Sequence, residues 1–175
     1  MKLAIVWSTT TGNTEEAAEA LKAHLGDLVT SYIHVDDVTI EEMQSHDVVL
    51  VGVSTWDIGE LQADFDVRLK EFADADWSGV TFGFFGGGDA VNYPDTFVDA
   101  FGILWEAFSV KGARLIGKVP VDDYDFEDSR ALCDDRKSFL GLPFDDDNEP
   151  EKTAGRVEAW AAQIRSELAG VRVSA

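Results

Sequence analysis

Short apolar runs alternate along this chain with stretches whose apolar residues recur every three or four positions. The run Leu3-Ala-Ile-Val-Trp7 predicts a first strand over about 2–7. Ala17, Leu21 and Leu25 share one face of a helix predicted over about 14–25, and Gly26 ends it. A second strand is predicted over about 28–34, and Thr39-Ile-Glu-Glu42 has the form of a capping box on a short helix. Val48-Val-Leu-Val-Gly-Val53 reads as a third strand, its unbroken apolar run suiting a strand covered on both faces. A helix over about 64–73 and a fourth strand over about 80–86 follow. Phe97, Phe101, Leu104, Trp105 and Phe108 fall at helical spacing over about 95–109 and read as core rather than as a cofactor box. A fifth strand begins near Ala113. Val157, Trp160, Ile164 and Leu168 form a packing stripe on a last helix over about 152–169. Strands alternating with helices in this way predict an α/β fold with a parallel sheet and helices on both faces.

The stretch 119–150 breaks the rhythm. It is crowded with acids, among them Asp122, Asp123, Asp125, Glu127 and Asp128, and is too long for an ordinary connection. It also carries Tyr124, Phe126, Leu132, Phe139, Leu140 and Phe144, so it should pack down. It reads as an insertion that splits or follows strand five. Cys133 lies inside it, the single cysteine of the chain, which leaves no internal disulfide and no cysteine metal cluster. His24, His34 and His46 sit apart, without ligand spacing, and read as surface or helix-end residues. No metal site is expected.

Charge narrows the partners. Against 34 Asp and Glu stand 14 Lys and Arg, a formal net charge of -20 over 175 residues. Such a surface repels nucleic acid and anionic membranes and speeds encounter with basic protein patches. Solubility or adaptation to high salt accounts for the same composition. The longest apolar run, Val48 to Val53, is too short to span a bilayer. Met1-Lys2 leads straight into the first strand, leaving no room for a signal peptide, so cytoplasm is the expected compartment.

The chemistry starts at Ser8-Thr-Thr-Thr-Gly-Asn-Thr14, between the first strand and the first helix. The first N–H groups of a helix have no internal partner, and the dipole there favours an anion. The hydroxyls of Ser8, Thr9, Thr10, Thr11 and Thr14 add donors, and Gly12 permits close approach. The loop has no Lys or Arg and lacks the Gly-Lys-Ser/Thr ending of a P-loop, which favours an enclosed phosphate monoester over a polyphosphate. A plain helix start, with Asn13 as cap and Glu16 completing a capping box, is compatible with the same residues.

Ligands of open parallel sheets bind beyond the carboxyl ends of the strands. Two more loops leave those ends: Ser54-Thr-Trp-Asp-Ile-Gly-Glu60 and Gly86-Gly-Gly-Asp-Ala-Val-Asn-Tyr93. Each offers an aromatic residue among small ones, and a Trp with a Tyr can sandwich a flat ring. A phosphate at one end and a flat heteroaromatic at the other describes a mononucleotide such as FMN.

The segments Ser8-Thr-Thr-Thr-Gly-Asn-Thr-Glu15, Thr55-Trp-Asp-Ile-Gly-Glu-Leu61 and Phe85-Gly-Gly-Gly-Asp89, with Tyr93-Pro-Asp-Thr-Phe97, resemble flavodoxins. Tyr124-Asp-Phe-Glu-Asp-Ser129 and Phe139-Leu-Gly-Leu142 resemble the long-chain subgroup. The resemblance covers essentially the whole chain. It implies a single flavodoxin-like, FMN-binding domain over 1–175, a doubly wound five-stranded parallel sheet of order 2-1-3-4-5, and a long-chain insertion at strand five, about 119–142.

It also implies a site. Ser8, Thr9, Thr10, Thr11, Gly12, Asn13 and Thr14 would surround the phosphate. Ser54, Thr55, Trp56, Asp57, Ile58 and Gly59 would form one side of the isoalloxazine, with Trp56 flanking it. Phe85, Gly86, Gly87 and Asp89 would meet its pyrimidine edge, Tyr93 would stack on it, and Asp147 would help hold the ribityl chain. The peptide matching Asp57–Ile58 turns over on reduction in this family. Asp57 stands where Asn is frequent, and Gly87 where Thr or Cys is.

The implied function is a low-potential one-electron carrier with non-covalent FMN, shuttling between semiquinone and hydroquinone, rather than an enzyme. The expected partners are basic-surfaced redox proteins, a flavin-containing NADPH reductase and a low-potential acceptor enzyme, met by a monomer. An FMN-dependent quinone reductase of the same fold is the alternative. A phosphorylation-controlled receiver, suggested by Asp57 and Lys118, lacks paired acids at the end of strand one, and a low-molecular-weight phosphatase lacks a cysteine in the first loop.

Overall fold

The computed structural model describes residues 1–173. In chain order the elements are β1 (Leu3–Trp7), α1 (Asn13–Leu25), β2 (Val29–His34), α2 (Ile40–Gln44) and β3 (Val48–Gly52). Then come β4 (Thr55–Trp56), β5 (Glu60–Leu61), α3 (Ala63–Asp74), β6 (Thr81–Gly87) and α4 (Asp99–Ser109). Last are β7 (Arg114–Leu115), β8 (Val119–Pro120), β9 (Ser138–Phe139), β10 (Gly141–Phe144) and α5 (Pro150–Val173).

The main sheet runs β2-β1-β3-β6-β10, all parallel. Its fifth position is filled in two pieces. β7 pairs with Thr81 and Phe82 of β6, and β10 pairs further along the same strand, from Phe84 to Gly87. The chain between them leaves the sheet and returns to the same edge. Counting that edge as one strand gives the order 2-1-3-4-5.

Alternation sorts the strands' side chains onto two faces. Leu3, Ile5, Trp7, Val48 and Leu50 pack with α1 and α5 residues such as Leu21, Val157, Trp160 and Ile164. Ala4, Val6, Val49 and Val51 pack on the other face with Phe65 and Phe72 of α3 and Phe101, Leu104 and Phe108 of α4. Both faces are covered, which is why β1 and β3 read as unbroken apolar runs. The densest part of the second core is aromatic. Phe82 and Phe108 stack with centroids 4.3 Å apart, and Trp77 meets each edge-on at 5.3 Å. Burying each such ring contributes about 1.5–3 kcal/mol. The indole N–H of Trp77 is not left unpaired: it donates to the Phe72 carbonyl at 2.8 Å.

The inserted stretch packs down. Phe126 and Tyr124 lie 5.0 and 5.2 Å from the Phe139 ring, and the Tyr124 hydroxyl donates to the Pro143 carbonyl at 2.8 Å. Arg156 of α5 covers the outer face of Tyr124 at 4.2 Å.

Several boundaries differ from the periodicity. The helix expected from residue 95 begins at Asp99, because Val98 is left-handed at φ 51° and interrupts the turn. Phe97 is spent on the insertion, its ring 6.0 Å from Phe126 and Phe139. α5 starts at Pro150, a residue suited to the first helical position, and runs past 169. His46 is buried rather than superficial: its Nδ1 meets the Glu42 carbonyl at 2.8 Å and its Nε2 the Ser31 hydroxyl at 3.0 Å.

Candidate functional site

The loops after β1, β3 and β6, joined by the one after β10, meet in a cleft of about 330 Å³ at the carboxyl ends of the strands. That is the size and place of a small-molecule site in a doubly wound sheet.

The first loop divides its hydroxyls between the cleft and the fold. Thr11, Asn13 and Thr14 line the cleft. Ser8 is fully buried, and its hydroxyl donates to the Asp64 carboxylate at the start of α3. Thr9 accepts the Gly12 N–H at 2.9 Å, and Thr10 accepts from the Gln62 amide at 3.4 Å. The hydrogen bonds from Ser8 and Gln62 hold the Asp64 carboxyl below its usual range against some desolvation. The capping box that the sequence allowed does not form. Gly12, left-handed at φ 101°, is the cap, and no side chain caps the helix. A side chain cap there would compete with an incoming anion for the first N–H groups.

The second loop is a small hairpin, β4 against β5, which periodicity did not reveal. Thr55 faces Leu61 and Trp56 faces Glu60. Leu61 anchors it in the core, and Thr55 Oγ1 accepts the Ala100 N–H at 3.0 Å. Trp56 donates its indole N–H to Ser54 Oγ at 2.9 Å, which fixes the ring over the cleft. The turn is tight, with Asp57 at φ 41° and Gly59 at φ 78°. Ser54, Thr55, Trp56 and Asp57 line the cleft, while Ile58, 78% exposed, points away at its rim.

The third loop is held open by the carboxylate of Asp89. It accepts the N–H groups of Asn92 at 2.8 Å and Val91 at 3.1 Å, and the Asn148 amide at 3.0 Å. Desolvation opposes the charge, but these bonds outweigh it and keep the carboxyl below its usual value. Tyr93, 38% exposed, lies on the same cleft as Trp56. Gly87 lines it as well.

Besides Ser8, Thr9, Thr10, Gly12 and Ile58, three more expected residues lie off the cleft wall. The Phe85 side chain is fully buried in the α1/α5 core, with its ring 6.0 Å from Trp160. Strand alternation sends it below the sheet, so only its backbone can serve the third loop. Gly86 is packed against the Val53 carbonyl, and Gly59 against Asp99 and Thr96. Conversely Gly88, Thr96 and Asp146 line the cleft alongside Asp147. Asp146 lies in the acidic run with Asp147 and could have been read there. Thr96 falls within the helix expected over about 95–109, which starts only at Asp99.

Electrostatically the cleft is anionic. Asp57, Asp89, Asp146 and Asp147 border it, with no Lys or Arg among the described residues of its wall. Burial pushes the Asp146 carboxyl up, helped by the charges of Glu16, Asp145 and Asp147, although Thr153 donates to it at 2.6 Å. His34 does not stand alone as the sequence suggested. Its two ring nitrogens lie 3.8 Å from the carboxylates of Asp36 and Asp64. The Cys133 thiol is buried, and burial raises its pKa, which disfavours a nucleophilic role.

The cleft combines a helix start ringed by hydroxyls with two aromatic side chains on neighbouring loops. The comparisons point the same way. The family model described as flavodoxin matches residues 5–160. A flavodoxin of Picosynechococcus sp. is 41% identical over 166 residues, covering 94% of this chain and 96% of its own. Flavodoxin 1 of Escherichia coli is 37% identical over 164 residues, covering 94% and 93%. The crystal structure of a Fusobacterium nucleatum flavodoxin bound to flavin mononucleotide superposes with a TM-score of 0.87 at 22% identity, over 95% of this chain and 98% of that one.

Proposed function

The chain belongs to the flavodoxin family, and from that premise we propose that its cleft holds FMN non-covalently and that the protein is an electron carrier rather than an enzyme. The observation that carries this is the shared cleft: Thr11, Asn13 and Thr14 stand at the N-terminus of α1, and Trp56 and Tyr93 line the same cavity. When bound, flavin supplies redox chemistry in one-electron steps, and the protein supplies orientation and electrostatics.

Each set of residues has a task. The free N–H groups of α1 and the hydroxyls of Thr11 and Thr14 receive the phosphate without a cationic side chain. Ser8, Thr9, Thr10 and Gly12 shape that loop through the bonds described above. Trp56 and Tyr93 flank the ring system and exclude water from it. The turn Asp57–Ile58–Gly59 presents a peptide to the ring edge, and Asp57, at φ 41°, tolerates the left-handed form better than a β-branched residue. Asp146 and Asp147 border the ribityl side. The carboxylates around the cleft oppose added negative charge. One such charge about 10 Å away costs roughly 0.4–1.7 kcal/mol between water-like and surface dielectric, before salt screening. The reduced form is thereby disfavoured, and the carrier works at low potential.

The finer readings follow from the same chain. The split edge strand supports membership of the long-chain subgroup, and two cores on the faces of one sheet support a single domain over 1–175. No described helix is long and apolar enough to cross a membrane, which is consistent with a cytoplasmic carrier. The net charge of -20 suits transient docking of a monomer on basic-surfaced partners, a flavin-containing NADPH reductase and a low-potential acceptor enzyme.

The test is the visible absorption spectrum of the purified protein with FMN during stepwise anaerobic reduction. Two successive one-electron stages, the second at strongly negative potential, are expected. A single two-electron stage with NADH-driven quinone turnover would favour the quinone reductase. A protein that leaves added FMN free would sink the cofactor assignment.

A further inference from the structure

A buried carboxyl lies under the hairpin turn. Asp99, the first residue of α4, is 5% exposed. Its Oδ1 accepts the Arg130 N–H from the inserted stretch at 2.7 Å. Its Oδ2 lies beside the turn: a Cβ added to Gly59 would stand 2.7 Å from that oxygen and 3.1 Å from Thr96 Cβ. Gly59 is at φ 78°, so a side chain there is excluded by conformation and by space together. The next residue, Ala100, donates its N–H to Thr55 Oγ1 at 3.0 Å. The start of α4 therefore bonds the hairpin at its base and places the Asp99 carboxyl beside its turn.

We propose that Asp99 is a positioning residue for the turn Asp57–Gly59, selecting which edge of its peptides faces α4 and hence which edge faces the cleft. An ionised carboxylate only accepts hydrogen bonds, whereas a protonated one also donates. The charged form favours conformers that bring an N–H toward Oδ2, and the neutral form favours those that bring a carbonyl. A peptide has one group of each kind on opposite edges, so the choice made at α4 is inverted on the cleft side.

The surroundings set when the proton arrives. Burial raises the Asp99 carboxyl above the ordinary aspartate range, the Arg130 N–H and guanidinium pull it down, and Asp128 pushes it up. The Arg130 guanidinium is drawn away toward Glu106 of α4, at 2.9 Å, and Asp128 is paired with Arg136 at 2.8 Å. Asp57 is the charged residue on the turn itself. Through the Arg130 N–H the insertion acts on the hairpin, although the two share no strand.

The consequence for potential rests on the FMN reading; the coupling between Asp99 and the turn does not. The deciding experiment follows the Gly59 amide by NMR in flavin-free, nitrogen-15-labelled protein from about pH 7.5 downward. A single-step shift of Gly59, with a midpoint above that of an ordinary aspartate, is expected, and Asp99→Asn removes it. A Gly59 resonance that does not move, or moves alike in Asp99→Asn, overturns the proposal. If that variant does not fold, Asp128→Asn decides: burial is the main cause that raises the carboxyl and Asp128 adds to it, so the Gly59 midpoint falls in that variant, and a midpoint that does not fall overturns the proposal. In FMN-loaded protein Asp99→Asn is expected to change the first one-electron equilibrium about tenfold, a 59 mV shift. An unchanged potential overturns the redox consequence. Failure to take up FMN would instead overturn the cofactor reading and leave the Gly59 titration to decide.

Discussion

The threonine-rich loop shows how alike residues in sequence come to do different work. Ser8, Thr9, Thr10, Thr11 and Thr14 are equivalent donors on paper. Ser8 donates to Asp64 and Thr10 accepts from Gln62, each partner more than fifty positions away, Thr9 accepts from the Gly12 N–H, and Thr11 and Thr14 line the cleft. The hydroxyl count was legible, and its partition was not, because it depends on where α3 begins. Asp146 was missed for a related reason, as its neighbour Asp147 carried the resemblance. It also makes a pH prediction. Its folded-state pKa is raised by burial and by Glu16, Asp145 and Asp147. The folded protein therefore binds more protons than the unfolded chain between the two pKa values, and stability falls as pH rises through that window. Asp146→Asn, which keeps an acceptor for Thr153, should raise the thermal midpoint of the flavin-free protein at neutral pH. The gain should vanish below the ordinary carboxylate range. Thermal melts of both proteins across pH check this, and a gain that is independent of pH would contradict it.

Elements long enough to show their period were read well: β1, α1, β3 and α3 lie within a residue or so of expectation. The misses are the short or tertiary-held pieces. β4 and β5 have two residues each, too few for any pattern, and exist because Leu61 and Thr55 anchor them to the core and to α4. The late start of α4 comes from Val98, whose left-handed backbone no propensity would propose. The aromatic stripe on α4 was read as core, and its energetics can be measured. Phe108 is fully buried against Phe82, Phe72 and Trp77. Phe108→Ala should cost about 3–5 kcal/mol in equilibrium urea unfolding. Val110→Ala, at a side chain 76% exposed, should stay within about 0.5 kcal/mol. Equal losses at both sites would mean that the helix, and not the aromatic packing, carries the stability.

Charge is a property of the whole molecule. A formal charge of -20 on 175 residues makes the compact state repel itself, and the surface ion pairs among the described residues are few. Sodium chloride should therefore raise the thermal midpoint as it screens that repulsion. Each 1 kcal/mol gained corresponds to about 2–4 °C for a chain of this size. The same screening should slow association with a basic redox partner. Scanning calorimetry and stopped-flow mixing across ionic strength read the two effects separately. A midpoint that falls with salt would show that specific pairs, rather than net repulsion, dominate.

The sequence by itself determined the layers, the order of elements, the loops that bear the chemistry and the sign of the surface. All of these are local patterns or sums over residues, and neither needs a partner in space. Only the tertiary structure decided which hydroxyls face the cleft, that Phe85 lies below the sheet, that the fifth strand is split around an insertion, and that Asp99 sits under Gly59. Each of those is a contact between distant segments. Such contacts are fixed by packing and hydrogen-bond partners, which the local pattern does not contain.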